Sequence, residues 1–551
     1  MSEQIELAEL MFPEIKETIS DLEAKYPPRN LIESAEITRF APSPTGYLHT
    51  GSLFTSLVSY YLAKSTKGVF FVRLEDTDTK REIKGAGEAL IKELKNFKIA
   101  PMEGYGTNVG RYAPYEQSKR ANIYKTVIKE LVKQGLAYPC FCTPEELDEI
   151  RQVQEKTKQL PGYYGSYAKC RYLKPEEAIK LIKEGKPYVV RFKSNGNHNN
   201  KIRVHDEIRG DIDISENELD VVILKSDGLP TYHFAHVVDD HFMKTTTITR
   251  GEEWISSLPI HLEMFKTLKW KAPKYAHLPL INKLDNGNKR KLSKRKDPEA
   301  AVTYFFEEGY PTEAVLIYLM SIANSNFEEW MIANKCFDLD KFPFSIHKMS
   351  LDGALFDLDK LAYFSKEFLS HLSAKEMSER ALEYAKKYDA KLLGLINKDI
   401  NYFTKIMNIE RDKENPRKDY AKFKDIYNII RFFYDDEYKE IVKNGYPFNP
   451  NIKKEVISQI LTEFMNSNDY SLSEQDWFNT IKALGEKYNF ASDRKTYKAN
   501  KDKYLGMVSD VAEMIRIALT GNKNSPNLYY VLHILSKETI NNRIKQAISV
   551  K

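Results

Sequence analysis

The run Arg39–Phe–Ala41–Pro–Ser43–Pro–Thr–Gly–Tyr–Leu–His49–Thr–Gly51–Ser52 gathers residue types suited to phosphate chemistry. Pro42 and Pro44 stiffen a turn, Gly46 permits an unusual backbone angle, and a helix is predicted to open close to Gly51. A strand-to-helix junction of this kind offers unpaired N–H donors to phosphate, and an imidazole held there can stabilise charge that grows in a transition state. His49 is the candidate. An isolated His–x–Gly, however, is equally what a plain proline-rich loop contains. The odds change with a second cluster far downstream, Lys289–Arg–Lys291–Leu–Ser293–Lys294–Arg295–Lys296, preceded by Asn286–Gly287–Asn288. Basic runs usually mark a solvated face or a nucleic-acid patch. Here two lysines three residues apart, with Ser293 between them on what reads as a mobile loop, fit the clamping of a triphosphate.

The elements that must position these groups are legible in outline. Short β-prone runs at Ile37–Phe40 and Val69–Leu74 flank a predicted helix, Leu53–Thr66, which suggests a βαβ unit with a parallel sheet. Val221–Leu224 reads as a strand before the turn Ser226–Asp227–Gly228, and Thr245–Thr249 as another ending at Arg250. Only six glycines and four prolines follow residue 350, so the C-terminal part is poor in helix breakers. Ser373–Lys387, Asn451–Met465 and Lys503–Leu519 carry apolar residues at helical spacing, the first opened by a Ser373–Glu376 capping box. The expectation is a mixed α/β front and an all-α back. Residues 1–35 read as an extension, a helical stretch Glu3–Lys25 ended by Tyr26–Pro27–Pro28 and packed on the surface of the body.

Composition bounds the rest. At 551 residues, several folding units are expected, and 42% hydrophobic content supplies apolar material for sizeable cores. No apolar stretch approaches the ~20 residues of a membrane span. Four cysteines (Cys140, Cys142, Cys170 and Cys336) are too few for a disulfide scaffold and point to a reducing cytosol, with no targeting segment visible. A net charge of +5 permits a polyanionic partner without demanding one.

Together the two phosphate-type clusters resemble the paired HIGH and KMSKS motifs of class I aminoacyl-tRNA synthetases, and the chain is similar to the glutamyl-tRNA synthetases of bacterial type, where the second motif is commonly KLSKR, as at Lys291–Arg295. Three intervening segments agree: Arg73–Leu–Glu75–Asp76–Thr77–Asp78, Lys225–Ser–Asp–Gly–Leu–Pro–Thr–Tyr232–His–Phe–Ala–His236–Val–Val–Asp239–Asp240–His241, and Arg250–Gly–Glu–Glu–Trp254. The likeness runs from about residue 36 to 551 and leaves the extension unmatched. It implies a Rossmann-like catalytic domain in two halves, 36–110 and 226–345, split by an acceptor-binding insertion at 111–225. A stem-contact junction at 346–370 and a helical anticodon-binding region at 371–551 would follow.

Glutamate carries two carboxylates and one ammonium, so a selective pocket needs cations for the former and a carboxylate or carbonyls for the latter. The resemblance assigns the cations to Arg39 and Arg250, the ammonium to Glu75 with Ala41 and Ser43, and the closing wall to Tyr232. His236 stands where the family usually has Asn; a histidine in contact with glutamate predicts an affinity that varies with pH. Ser52 stands where HIGH has its last histidine. ATP, as its Mg2+ complex, would meet Ser43, His49, Gly51, Ser52, Lys291, Ser293 and Lys294, with His49, Lys291 and Lys294 catalytic.

Some members of the family bind zinc through Cys–x–Cys and a later Cys–x–His. Here Cys140, Cys142 and Cys170 are followed by Tyr172, with Tyr167 also near, so either a zinc site or three buried free thiols is open. The implied partners are L-glutamate and tRNA(Glu), with tRNA(Gln) as an alternative, for a cytoplasmic monomer. A glutaminyl enzyme would carry β-barrels that the breaker-poor C-terminal region argues against, a truncated tRNA-modifying relative would lack that region, and a pantothenate synthetase would not need it. A non-catalytic RNA-binding paralogue would have no reason to keep Arg39, His49, Lys291 and Lys294 together.

Overall fold

Ile37–Phe40 and Val69–Val72 are built almost wholly of buried side chains, the pattern of parallel strands covered on both faces. They pair in parallel with Arg39 opposite Phe71, and Glu103–Gly104 continues the sheet beyond Val72. On the other side, Thr246 N donates to Ile37 O at 2.9 Å, and the strand that follows, Thr247–Gly251, runs parallel to Lys274–Leu278. The computed structural model describes residues 3–78, 80–107, 109–351 and 354–549. It divides into two compact units, Met1–Tyr304 with Leu316–Asp357, and Phe305–Val315 with Leu358–Lys551.

In the first unit the crossover helix is Thr50–Ser65, beginning three residues earlier than the apolar spacing predicts because His49 caps it. Leu53 and Leu57 on its inner face are fully buried, each worth about 1.5–3 kcal/mol. Ala137–Cys140, Val189–Phe192 and Val222–Leu224 form an antiparallel sheet in the region expected to be the insertion, and the hairpin Lys201–Asp206/Gly210–Ser215 ends with Asp206 beside Tyr275.

Two expectations need correction here. The stretch around Asn286–Gly287 is a β-hairpin, not a mobile loop: Ile281–Asp285 pairs antiparallel with Asn288–Lys291. Asn286 at φ 51° and Gly287 at φ 82° supply the two left-handed residues of a tight hairpin turn. The N-terminal extension is two helices, Glu3–Met11 and Ile19–Lys25, rather than one, and it is core rather than surface. Leu7, Phe12, Ile15, Leu22 and Tyr26 are buried in the same cluster as Ile123, Val127 and Phe242. Lys129, itself buried, donates to Phe12 O at 3.1 Å and Ile15 O at 2.7 Å, satisfying carbonyls that the break between the helices frees.

The second unit is helical. Ala374–Tyr388 opens with the expected capping box, Ser373 Oγ accepting from Glu376 N at 3.2 Å and Glu376 accepting from Ser373 N at 3.0 Å. Lys454–Ser467 and Val508–Thr520 follow the predicted apolar spacing, and Gly521 at φ 71° ends the latter. The departure from all-α is one short parallel ladder, Phe490–Ala491 with Gly506–Met507. Asp352 and Gly353, inside the expected junction 346–370, lie outside the described residues. Among the described residues, no helix is long and apolar enough to cross a membrane.

Candidate active site

A cleft of about 570 Å³ opens at the carboxyl ends of the parallel strands, where Phe40, Gly251 and Leu278 lie on its wall. From the first motif it takes Arg39, Ala41, Ser43, His49, Gly51 and Ser52. Glu75, Tyr232 and Arg250 join them from the intervening segments, and Lys291 and Lys294 from the second motif. Ser293 and His236 are not on the wall.

At the phosphate-type end, His49 caps the crossover helix through its ring: Nδ1 accepts from Ser52 N at 3.0 Å, and Nε2 lies 2.8 Å from Ser52 Oγ. With Nδ1 accepting, the ring proton sits on Nε2 and is donated to Ser52 Oγ. The side chain is exposed on the cleft, whose walls stand close enough to desolvate it. Burial, then Lys294 and Lys291, hold the imidazole down to about 4, so it is neutral near pH 7. Ser52, in place of the motif's last histidine, is left with its own O–H free to donate. Lys294 Nζ donates to Tyr47 O at 2.8 Å, which draws the second motif onto the first. Lys291 Nζ donates to Glu253 at 3.3 Å and is otherwise open. Ser293 is held away by its peptide N–H, which donates to Asp297 at 2.9 Å; Asp297 also takes both Nη atoms of Arg290, at 2.6 and 2.8 Å. The base of the second motif is thus rigid, with its lysines projecting from it.

At the other end, Arg39 Nε and Nη2 reach Asp240 at 3.2 and 3.3 Å. Glu75 accepts from Arg73 Nη2 at 3.1 Å; burial raises its carboxyl and the Arg73 and Arg39 guanidinia oppose the rise. Arg250 donates from Nε to His277 Nε2 at 3.0 Å and from Nη2 to Trp254 O at 3.2 Å, and its Nη1 lies 3.2 Å from His261 Nδ1. The Tyr232 ring packs 4.5 Å from Trp254. His236 corrects the sequence expectation. It is fully buried, 3.0 Å from Asp240 through Nδ1 and 3.3 Å from Arg39 Nη2, with its ring beneath that of Tyr232. Burial takes its imidazole down to about 3, so it stays neutral from pH 6 to 8.5 and gives no reason for glutamate affinity to vary there.

The supporting network was present in the motifs but had no assigned role. Arg73, fully buried, donates to Asp240 at 2.8 Å. Asp239 accepts from Arg120 Nε at 2.6 Å, Gln117 at 2.9 Å and Tyr124 at 2.8 Å. The pairing of Arg73 with the double acid Asp239–Asp240 was the available signal. His261, His277 and Asp206 had none, because they come from three separate segments.

Cys140, Cys142 and Cys170 bring their sulfurs within 4.8 Å of one another, beside the antiparallel sheet. Tyr172 is 66% exposed, and the phenol at the thiols belongs to Tyr163. Tyr163 Oη accepts from Cys170 N at 3.0 Å and lies 3.2 Å from Cys142 Sγ. Tyr172 ends a short helical turn that carries Cys170 inward and leaves its own ring outside.

The model of the family "tRNA synthetases class I (E and Q), catalytic domain" matches residues 37–357, and that of "Anticodon binding domain" matches 500–548. The chain is 44% identical over 547 residues to the glutamate–tRNA ligase of Clostridium perfringens (strain SM101 / Type A), covering 99% of both chains. It is 45% identical over 543 residues to that of Acetivibrio thermocellus, covering 98% of this chain and 99% of the relative. The extension at 1–35 is therefore shared with these relatives rather than unmatched. A glutamate tRNA ligase from Elizabethkingia meningosepticum, solved in complex with its amino acid, superposes with a TM-score of 0.73 at 30% identity, covering 94% of this chain and all of that one. A catalytic-domain match over more than half the sequence and near-complete likeness to these enzymes lead to one conclusion: the chain belongs to the glutamate–tRNA ligases, within the class I tRNA synthetases.

Proposed function

We infer that this ligase makes glutamyl-adenylate in the cleft described above and then charges tRNA with the glutamyl group. A glutamate carboxylate oxygen attacks the α-phosphorus of Mg-ATP, the bond to the β-phosphate oxygen breaks and pyrophosphate leaves. The 2′-hydroxyl of the terminal adenosine of tRNA(Glu) then takes the acyl group and AMP leaves. The observation that carries this is the convergence, in one cleft, of a neutral imidazole and two lysines at one end with Arg39, Glu75 and Arg250 at the other. No enzyme nucleophile is needed; catalysis is positioning and electrostatic stabilisation.

His49, the Ser52 hydroxyl it orients and the N-terminal peptide at Gly51 face the α-phosphate, and Lys291 and Lys294 face the β- and γ-phosphates, with Ser293 holding the loop between them. Arg39 and Arg250 take the glutamate carboxylates. Glu75, with Ala41 and Ser43, takes the ammonium, and Tyr232 closes the pocket. Residues 111–225 hold the acceptor end, and the helical region reads the anticodon, with the family match at 500–548 supporting the latter. The three clustered thiols suit zinc by softness and spacing and supply three of its four tetrahedral positions. Cys140, Cys142 and Cys170 would hold it, and it would brace the insertion.

Charging of purified tRNA(Glu) and tRNA(Gln) with labelled glutamate tests this reading. ATP-dependent charging of tRNA(Glu) supports it, and failure with that tRNA would overturn it. Charging of tRNA(Gln) as well would make the enzyme non-discriminating.

A further inference from the structure

Two of the arginines facing the glutamate pocket are held in opposite ways. Arg39 is matched by a carboxylate, Asp240, which also takes Arg73; Arg73 in turn reaches Glu75. These groups together bring two guanidinia and two carboxyls. Arg250 has no carboxylate against it. Its acceptors are all neutral: a backbone carbonyl, Trp254 O, two ring nitrogens, His277 Nε2 and His261 Nδ1, and the phenol of Tyr232.

The tautomers follow from the partners. His277 Nδ1 lies 2.6 Å from Asp206 Oδ2, so it carries the proton and leaves Nε2 to accept from Arg250. His261 Nδ1 faces a guanidinium N–H, so the proton is on Nε2, which reaches His233 Nδ1 at 3.1 Å. Both rings are fully buried, and burial lowers both imidazoles, that of His261 well below its usual value. Asp206 is one imidazole removed and is further occupied by the peptide N–H groups of Ile208, Arg209 and His277.

We propose that His261 and His277 are specificity-determining positioning residues, which fix Arg250 through neutral acceptors and keep every carboxylate of the protein out of direct contact with its guanidinium, so that the first anion to touch it is a carboxylate of the bound amino acid. The inference rests on the function proposed above and deepens it. Glutamate brings two carboxylates, one for each of Arg39 and Arg250; glutamine brings one, and leaves one of the two guanidinia without a substrate carboxylate. A carboxylate in either histidine's place would hold Arg250 in the same geometry and remove the distinction.

The test uses pairs that differ in charge but hardly in shape. His261→Asn and His261→Asp both place an oxygen near the Nδ1 position; His277→Gln and His277→Glu do so near Nε2. In the full chain with tRNA(Glu), amino-acid-dependent ATP–pyrophosphate exchange is measured for glutamate and for glutamine, with thermal unfolding of each variant alongside. The amides are expected to keep the glutamate-over-glutamine ratio of kcat/KM within about threefold of the parent. The acids are expected to lower that ratio about tenfold or more, through glutamate KM, with ATP KM unchanged. Equal losses in amide and acid would reduce the histidines to packing, and an unchanged ratio in both would remove the proposal. If one acid variant does not fold, the other pair decides. Absence of glutamate-dependent exchange in the parent chain would instead overturn the function itself.

Discussion

His49 and Ser52 are bonded twice, the backbone N–H of Ser52 donating to Nδ1 at 3.0 Å and the ring Nε2 meeting the Ser52 hydroxyl at 2.8 Å. One side chain therefore caps the crossover helix and orients the Ser52 hydroxyl, whose own O–H is left to donate into the cleft. The two roles separate in two variants. Asparagine is a good helix cap but lacks the second ring nitrogen, so His49→Asn should unfold near the parent temperature. His49→Ala should lose about 1 kcal/mol. Both should slow glutamate-dependent pyrophosphate exchange about 100-fold. An asparagine variant with parental exchange would show that the histidine is only a cap.

Lys294 reaches across to the first motif, donating to Tyr47 O at 2.8 Å. A cation that acts on the leaving phosphates contributes where charge develops. Lys294→Ala should therefore reduce the exchange rate about 100-fold and leave glutamate KM within about threefold. Equal effects on both quantities would count against the phosphate assignment.

Legibility tracked locality. The helix start near Gly51, the strand Ile37–Phe40 and the Ser373–Glu376 box depend on neighbours in sequence and are legible there, whereas the cap by His49 is not. His236 could not, because its neutrality comes from burial beneath Tyr232 and between Arg39 and Asp240, which no spacing reveals. Tyr172 stands where the family's Cys–x–His pattern has histidine, yet Tyr163, seven residues before Cys170, is the one folded back onto it. Asn286–Gly287 was read as loosening the chain, when flanking strand residues make the same pair a hairpin turn. The extension's apolar residues looked like one face of a surface helix. Their burial required knowing that Lys129 waits for the carbonyls between Phe12 and Ile15.

The thiol cluster gives a metal prediction with an internal control. Tyr163 Oη accepts from Cys170 N, so its proton is directed at Cys142 Sγ. This makes the phenol a hydrogen-bond donor to a sulfur rather than a fourth ligand. Elemental analysis should find about one zinc per chain in the purified protein, lost in Cys170→Ser and kept in Tyr163→Phe. A metal-free parent would decide for free cysteines. Loss of zinc in Tyr163→Phe would make the phenol a ligand.

The buried histidines behind the cleft wall set how the fold responds to acid. His236, His261 and His277 are fully buried, and burial lowers all three imidazoles, His236 to about 3, against an unfolded value near 6.5. Below about pH 6.5 the unfolded chain binds protons that the folded chain refuses, so the number bound is larger in the unfolded state and stability falls as pH falls. Their contribution is whole above that value and is lost progressively beneath it, down to the folded values. Each such group adds a slope of about 1.4 kcal/mol per pH unit, a large effect against a usual total of about 5–15 kcal/mol. Unpaired carboxylates, which titrate near 4, are still ionised at pH 5.5, so the histidines dominate between 6.5 and 5. Melting followed by circular dichroism should therefore move to lower temperature over that interval. His236→Asn, which removes one proton acceptor while leaving an amide between Arg39 and Asp240, should make the decline shallower. A melting temperature that stays level from pH 7 to pH 5, or a decline as steep in His236→Asn as in the parent, would show that these rings do not control acid stability.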